Sequence, residues 1–216
     1  RLFMKYKHII FDVDGTLLDT SRNILQSLKD ALAETDGIHR EIDELRFVLG
    51  CTSFVSLAQL KVRNASETLG LWLENEARYV HLIRLFDGIE PLLEKLSESG
   101  YRLGIVTSRT HEELELVLSA TPIQNYFSVI ICSDDVDSPK PAPDPILKYQ
   151  NLTHARTEEI LFVGDTLQDM KCADAAGVDF ALAVWGTHDD SLLSGNVRAE
   201  YLPASPDALA QLLTGL

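Results

Sequence analysis

The sequence predicts an α/β fold: a Rossmann-like parallel sheet whose chain is interrupted by an all-helical insert. Three observations carry that expectation. A short, mostly apolar run, His8-Ile9-Ile10-Phe11, breaks at its carboxyl end into acids and a glycine, as a buried strand does where it leaves a sheet. From Gly88 onward, strand-like runs alternate with segments of helical periodicity, the pattern of a parallel sheet covered by helices. Between the two, Thr20 to Phe86 reads as almost entirely helical, which makes it a small inserted bundle. The expected division is residues 1–19 and 87–216 for the sheet domain and 20–86 for the insert.

In the insert, Ser21 to Thr35 carries Ile24, Leu25, Leu28, Ala31 and Leu32 at helical spacing, and Asp36-Gly37 stops it. Glu41 to Leu49, Phe54 to Arg63 and Ser66 to Leu85 are three further helical stretches, separated near Gly50 and Asn64. Beyond the insert, Ile89 to Ser99 reads as a helix ended by Gly100, and Arg102 to Val106 as a strand. Thr110 to Ala120 is the next helix and Val129 to Cys132 the next strand. Pro143 to Tyr149 opens a helix with proline in its first turn. A strand at Ile160 to Val163, a helix at Gln168 to Ala176 stopped by Gly177, and a strand at Phe180 to Val184 follow. Ser205 to Leu213 closes the chain as a helix with a Ser-Pro start. Ligands of such sheets bind beyond the carboxyl ends of the strands, so the polar residues there are the candidate site.

Composition narrows the function classes. The chain has 216 residues, enough for a substantial core, with 45% hydrophobic and 24% charged residues. A net charge of −14 disfavours nucleic acid and anionic membrane surfaces as partners. A small anionic substrate stays compatible, since a metal and a few local cations outweigh the global field. Cys51, Cys132 and Cys172 are few, odd in number and far apart, the pattern of reduced intracellular thiols. No signal peptide and no apolar run long enough to span a bilayer is found, so a cytoplasmic location is expected. Arg1-Leu2-Phe3 reads as an extension ahead of a natural start at Met4. Oligomeric state leaves no mark in the sequence.

The chemistry concentrates in Asp12-Val13-Asp14-Gly15-Thr16-Leu17. Side chains at i and i+2 of a strand leave on one side, so Asp12 and Asp14 are expected to face one point. Two carboxylates so close repel unless a cation offsets them, and a hard, oxygen-seeking ion such as Mg2+ suits the site. Gly15 frees the backbone to turn, so the amides of Gly15, Thr16 and Leu17 are expected to form an anion-binding nest. Acids, a cation and a phosphate cradle together point to phosphoryl transfer. At the other strand ends stand Thr107-Ser108-Arg109, Lys140-Pro141-Ala142-Pro143-Asp144-Pro145 and Gly164-Asp165-Thr166-Leu167-Gln168-Asp169. Lys140 is flanked by prolines that restrict its backbone, which pre-positions an ammonium.

These four segments, in this order and each at an expected strand end, resemble the four motifs of the haloacid dehalogenase superfamily, most of whose members are phosphohydrolases. The Lys-Pro-x-Pro-Asp-Pro stretch resembles the phosphoglycolate-phosphatase-like group in particular. The resemblance implies that Asp12 attacks phosphorus to form an aspartyl phosphate, while Asp14 serves as acid and then base. It implies a magnesium site made by the carboxylates of Asp12 and Asp165 and the backbone carbonyl of Asp14, with Asp169 direct or through water. Thr107 would hold a phosphate oxygen beside Gly15, Thr16 and Ser108, and Lys140 would neutralise nucleophile and phosphate. Relatives often carry Asn and Lys where this chain has Ser108 and Arg109, so at that motif only the Thr107 contact carries over directly. The helical insert resembles the family's mobile cap, with Gly50-Cys51-Thr52-Ser53 where relatives carry a specificity loop, and Arg46, Lys61, Arg78 and Arg84 as candidate contacts for an acidic leaving group. The implied enzyme is a phosphatase acting on a small phosphorylated metabolite.

Two other readings stand beside it. A phosphomutase resembling β-phosphoglucomutase shares the motifs and cap, but those mutases typically carry a His where this chain has Ile24, and an Arg near the position of Ser53. A catalytically silent binding protein on the same fold usually loses the nucleophile or the metal acids, whereas Asp12, Asp14, Lys140, Asp165 and Asp169 are all present.

Overall fold

The computed structural model describes residues 5–119, 121–193 and 198–215. The Arg1-Leu2-Phe3 extension and Met4 lie outside the described residues, as does Ala120 at the expected end of its helix.

The central strand β1, His8–Phe11, is buried throughout. On one side it pairs with β4, Arg102–Val106, and on the other with β6, Ile160–Gly164, both parallel. The outer strands β5, Phe127–Ile131, and β7, Asp179–Leu182, complete a five-stranded parallel sheet of order β5-β4-β1-β6-β7. The chain fills one side of β1 first and then the other. The switch between the two directions opens a crevice at the carboxyl end of β1.

Alternation within the strands builds two apolar layers. Ile9, Phe11, Ile105, Leu161 and Val163 join one core cluster, and Ile10, Val106, Ile160 and Phe162 the other. Helices α4, Ile89–Glu98, and α9, Pro206–Thr214, cover the first layer with Leu92, Leu93, Leu96 and Leu209. Helices α6, Asp144–Thr153, and α7, Leu167–Ala176, cover the second with Ile146, Tyr149, Cys172 and Ala173. Each such aliphatic or aromatic side chain taken from water contributes about 1.5–3 kcal/mol before entropy is counted.

Residues 20–83 lie between two short strands, β2 at Leu18–Asp19 and β3 at Arg84–Leu85, which pair antiparallel. Between them run α1, Ser21–Asp36, a 3-10 turn at Ile42–Val48, α2, Ser53–Leu60, and α3, Ala65–Arg78. These enclose their own apolar cluster, including Leu25, Leu28, Leu32, Leu45, Leu57 and Trp72. Gly37 ends α1 at φ 64°, a conformation that costs glycine nothing, and its amide caps Leu32. Thr52 and Asn64 cap α2 and α3 by accepting from Val55 N and Glu67 N.

Several boundaries differ from the sequence reading. Glu41 to Leu49 forms a 3-10 turn, not an α-helix. The expected helix to Leu85 stops at Arg78; a 3-10 turn at Val80–Leu82 and then β3 follow, because Leu85 and Arg84 find backbone partners in Leu18 and Asp19. The helix α6 continues four residues past Tyr149, to Thr153, and ends where His154 turns left-handed at φ 57°. Among the described residues, no helix is long and apolar enough to cross a membrane.

Candidate active site

Asp12 follows β1 directly, buried, with its amide donating to Val163 O of the neighbouring strand at 2.9 Å. Lys140, from the loop after β5, reaches beneath it: Nζ lies 2.9 Å from Asp12 Oδ1 and donates to Asp169 Oδ1 at 2.6 Å. Both side chains of the Lys140–Asp12 pair are nearly inaccessible, at 1% and 4% exposure. Asp169 Oδ2 meanwhile accepts from Thr166 N and Oγ1, so the same carboxylate caps α7 and holds the lysine. Asp165 stands at the tip of β6 and accepts from Thr16 Oγ1 at 2.9 Å.

Asp12, Asp165 and Asp169 each offer an oxygen within 4.8 Å of the others, all in buried positions. Three buried carboxylates share one lysine, and the imbalance shows in their acidity. Burial, then Asp169, push Asp12 up to about 7, with Lys140 opposing. Burial, then Asp169 and Asp12, hold Asp165 well above the usual carboxylate range. Burial works against charge on Lys140, yet Asp12 and Asp169 keep its ammonium above its ordinary range. An all-oxygen, net-negative cluster of this kind fits a hard divalent cation, which would relieve the repulsion.

Asp14 lines the same cavity as Asp12, as the expected alternation has it, although β1 itself ends at Phe11 and the two carboxylates are held by different cations. The Asp14 carboxylate pairs with Arg109, taking Nε on Oδ2 at 2.7 Å and Nη2 on Oδ1 at 2.9 Å, and also accepts from Thr20 Oγ1. Burial pushes its pKa up, but the Arg109 guanidinium and Thr20 outweigh burial and hold the carboxyl below its usual range. The third arm of Arg109, Nη1, donates to Glu76 of α3 at 2.9 Å.

The anion nest expected at Gly15, Thr16 and Leu17 is not formed. Gly15 N donates to Leu18 O, and Thr16 N and Leu17 N donate to Val13 O, so the turn satisfies its own amides as it leads into β2. Gly15 sits at φ 76°, and a Cβ there would stand 2.1 Å from Asp165 Oδ2. The glycine is required by the approach of an acid as well as by its own dihedral. Thr107, buried at the end of β4, accepts from Arg109 N at 3.2 Å, and Ser108 Oγ donates to Gly50 O at 3.3 Å.

A cavity of about 40 Å³ lies over Asp12 and Asp14, between the strand tips and the helical segment. Its walls include Arg109, Glu76, Glu113, Ser53 and Trp72. That volume holds about three waters. Ser53 Oγ reaches across to Glu113 Oε1 at 2.8 Å. None of Arg46, Lys61, Arg78 and Arg84 lines this cavity. Arg46 pairs with Asp43 and borders a separate groove of about 430 Å³ that reaches Asp165; Arg78 donates to Asn75 and Arg84 sits 3.7 Å from Asp19. Lys61 is exposed just past α2. The sequence reading missed Arg109 and Glu76. The available signal was Glu76 itself, a charge one helical turn from Trp72 on the buried face of α3.

A family model described as haloacid dehalogenase-like hydrolase matches residues 9–183. The chain is 29% identical over 185 residues to pyrophosphatase PpaX of Bacillus cereus, covering 84% of this chain and 85% of that protein. Among solved structures, a candidate phosphoglycolate phosphatase of Lactobacillus plantarum is 30% identical, covering 97% of this chain and 100% of that one, with a TM-score of 0.84. A hydrolase of Pseudomonas syringae is 25% identical, covering 98% and 99%, with a TM-score of 0.85.

Proposed function

The chain belongs to the haloacid dehalogenase-like hydrolase family as a phosphatase, and we propose that it cleaves a small phosphate monoester through an aspartyl phosphate on Asp12, with Mg2+. One observation carries this reading: Asp12 stands at the tip of the central strand, paired with Lys140 and clustered with Asp165 and Asp169. A buried carboxylate beside a buried ammonium, open to a cavity, supports the nucleophilic role proposed for Asp12.

In the first step Asp14 leaves Arg109 and takes up a proton from solvent; an Asp12 carboxylate oxygen then bonds to phosphorus as the ester oxygen leaves, and Asp14 passes its proton to that oxygen. In the second, Asp14 takes a proton from water, which attacks the aspartyl phosphate and returns Asp12 and inorganic phosphate. Lys140 offsets charge on the nucleophile and the transferring group, and the Thr107 hydroxyl donates to a phosphate oxygen. Gly15, Thr16 and Ser108 shape the rest of the phosphate pocket, Thr16 by holding Asp165 with its hydroxyl. The carboxylates of Asp12 and Asp165 and the backbone carbonyl of Asp14 would hold Mg2+, with Asp169 direct or through water. When bound, the ion supplies positive charge where the phosphoryl oxygens accumulate negative charge.

Residues 20–86 act as a cap over the core made by 1–19 and 87–216, with the β2–β3 ribbon as the hinge that excludes water on closing. Ile24, which lines the cavity where mutases carry histidine, supports hydrolysis over phosphoryl transfer between sugars. The free thiols of Cys51, Cys132 and Cys172 suit the reducing cytoplasm.

The test is phosphate release from a panel of small esters and pyrophosphate with magnesium, using the native chain and Asp12→Asn. Release that vanishes in the variant supports the reading. Release that persists unchanged removes Asp12 as nucleophile, and no release from any ester removes the hydrolase.

A further inference from the structure

We propose that Arg109 selects the leaving group, and selects it as an acid: a carboxylate or phosphoryl on a small leaving group takes the place of Asp14 on the guanidinium fork. The inference rests on the phosphatase reading above.

Its basis is hydrogen-bond accounting. Arg109 lines the cavity beside Asp12, buried to 7% exposure, and spends Nε and Nη2 on both oxygens of Asp14. That is the bidentate geometry by which arginine binds planar carboxylates and phosphoryl groups. For Asp14 to reach the ester oxygen, at least one of its oxygens has to leave this fork. A buried guanidinium N–H left without an acceptor is costly, and an acidic leaving group seated in the cavity would take the place of Asp14.

Glu76 keeps Arg109 in position during the exchange, since Nη1 remains anchored at 2.9 Å from α3. Trp72, also in the cavity wall, keeps its indole Nε1–H buried with no partner. Among the described residues no other Arg or Lys lines the cavity, so recognition of an anion there falls to Arg109.

The experiment compares kcat/KM for 2-phosphoglycolate and pyrophosphate with that for 2-hydroxyethyl phosphate, a neutral ester of similar size. In the native enzyme at least one acidic substrate is preferred by about tenfold or more, and which one identifies carboxylate or phosphoryl as the ligand. In Arg109→Gln the preference collapses toward unity, mainly through KM. A preference unchanged in the variant, or absent in the native enzyme while the neutral ester is turned over, overturns the proposal. Native enzyme inactive on all three removes the phosphatase reading and this inference with it. Should Arg109→Gln be inactive throughout, Glu76→Gln carries the test. It keeps the guanidinium but loses its charged anchor, and is expected to lower the preference about threefold or more, with no change counting against the proposal.

Discussion

The strand tips and the helical segment meet at one cavity but are built on opposite plans. At the tips, Asp12, Asp14, Thr107, Lys140 and Asp165 come from four separate stretches of sequence, and the parallel sheet brings them together. Most are fixed by partners from another element: Lys140 by Asp12 and Asp169, Asp165 by Thr16, Asp14 by Arg109. The helical segment has an apolar core of its own and reaches the site through single hydrogen bonds from Thr20, Gly50, Ser53 and Glu76. The difference teaches that the sheet topology lays out the chemical groups, while discrimination between substrates depends on a few side chains across a small gap. Substitutions on the two sides therefore separate cleanly in what they affect.

The largest effect belongs to the tips. Asp12→Asn is expected to remove phosphate release by about a thousandfold or more, with the unfolding transition still cooperative. Equal loss of activity and fold would mean that the residue is structural. Gly15→Ala comes next: it forces a left-handed residue and places a Cβ against Asp165, which is expected to cost about 1–3 kcal/mol and about tenfold in metal-dependent turnover. Retained activity and stability would show the turn to be more compliant than its geometry.

On the other side, Leu28→Ala in the helical segment is expected to cost about 2–5 kcal/mol by opening a cavity among fully buried neighbours. If residues 20–86 fold as a separate unit, the loss shows as an earlier partial unfolding while the sheet persists; a single shifted transition would make the two regions one cooperative body.

Acidity gives a smaller but signed effect. Asp12 is pushed up to about 7 by burial and by Asp169, above its ordinary value of 3.8. A carboxyl with a raised folded value contributes stability that is complete below the unfolded value and is lost as pH rises through about 7. Metal-free protein should therefore lose melting temperature between about pH 4 and about pH 7, and magnesium should restore more at the higher pH, since the ion binds the deprotonated form. An equal magnesium shift at both values would remove Asp12 as a ligand. The smallest effect is expected at Lys61→Ala, an exposed cation away from the cavity, with kcat/KM changed by less than about twofold. A larger drop would return the specificity role to the helical segment.

Much of the sheet was readable because burial on both faces makes its strands continuous apolar runs, and His8–Phe11 and Arg102–Val106 fall where the pattern places them. The helical segment was readable through its first helix and its stop at Gly37. Its exit was not: Arg84–Leu85 continues an apolar helical pattern, and only pairing with Leu18–Asp19 makes it a strand. At the site, type and spacing pointed to Asp12, and the likeness of the later strand-end segments to the family's motifs pointed to Lys140, Asp165 and Asp169, whose proximity follows from their places at strand ends. The nest at Gly15 failed because the local rule does not say which carbonyls the turn's amides will meet.

The sequence by itself determined the fold class, the order of the strand-tip motifs and the presence of a carboxylate cluster with a lysine, since all of these depend on residue type, period and chain order. Tertiary structure alone decided that Asp14 pairs with Arg109, that Glu76 crosses from the helical segment to hold that arginine, and that the four expected cations stand outside the cavity. These depend on which groups compete for a buried guanidinium across distances of 33 and 95 residues. Buried charges accept the partners that packing brings within reach, and local pattern carries no record of them.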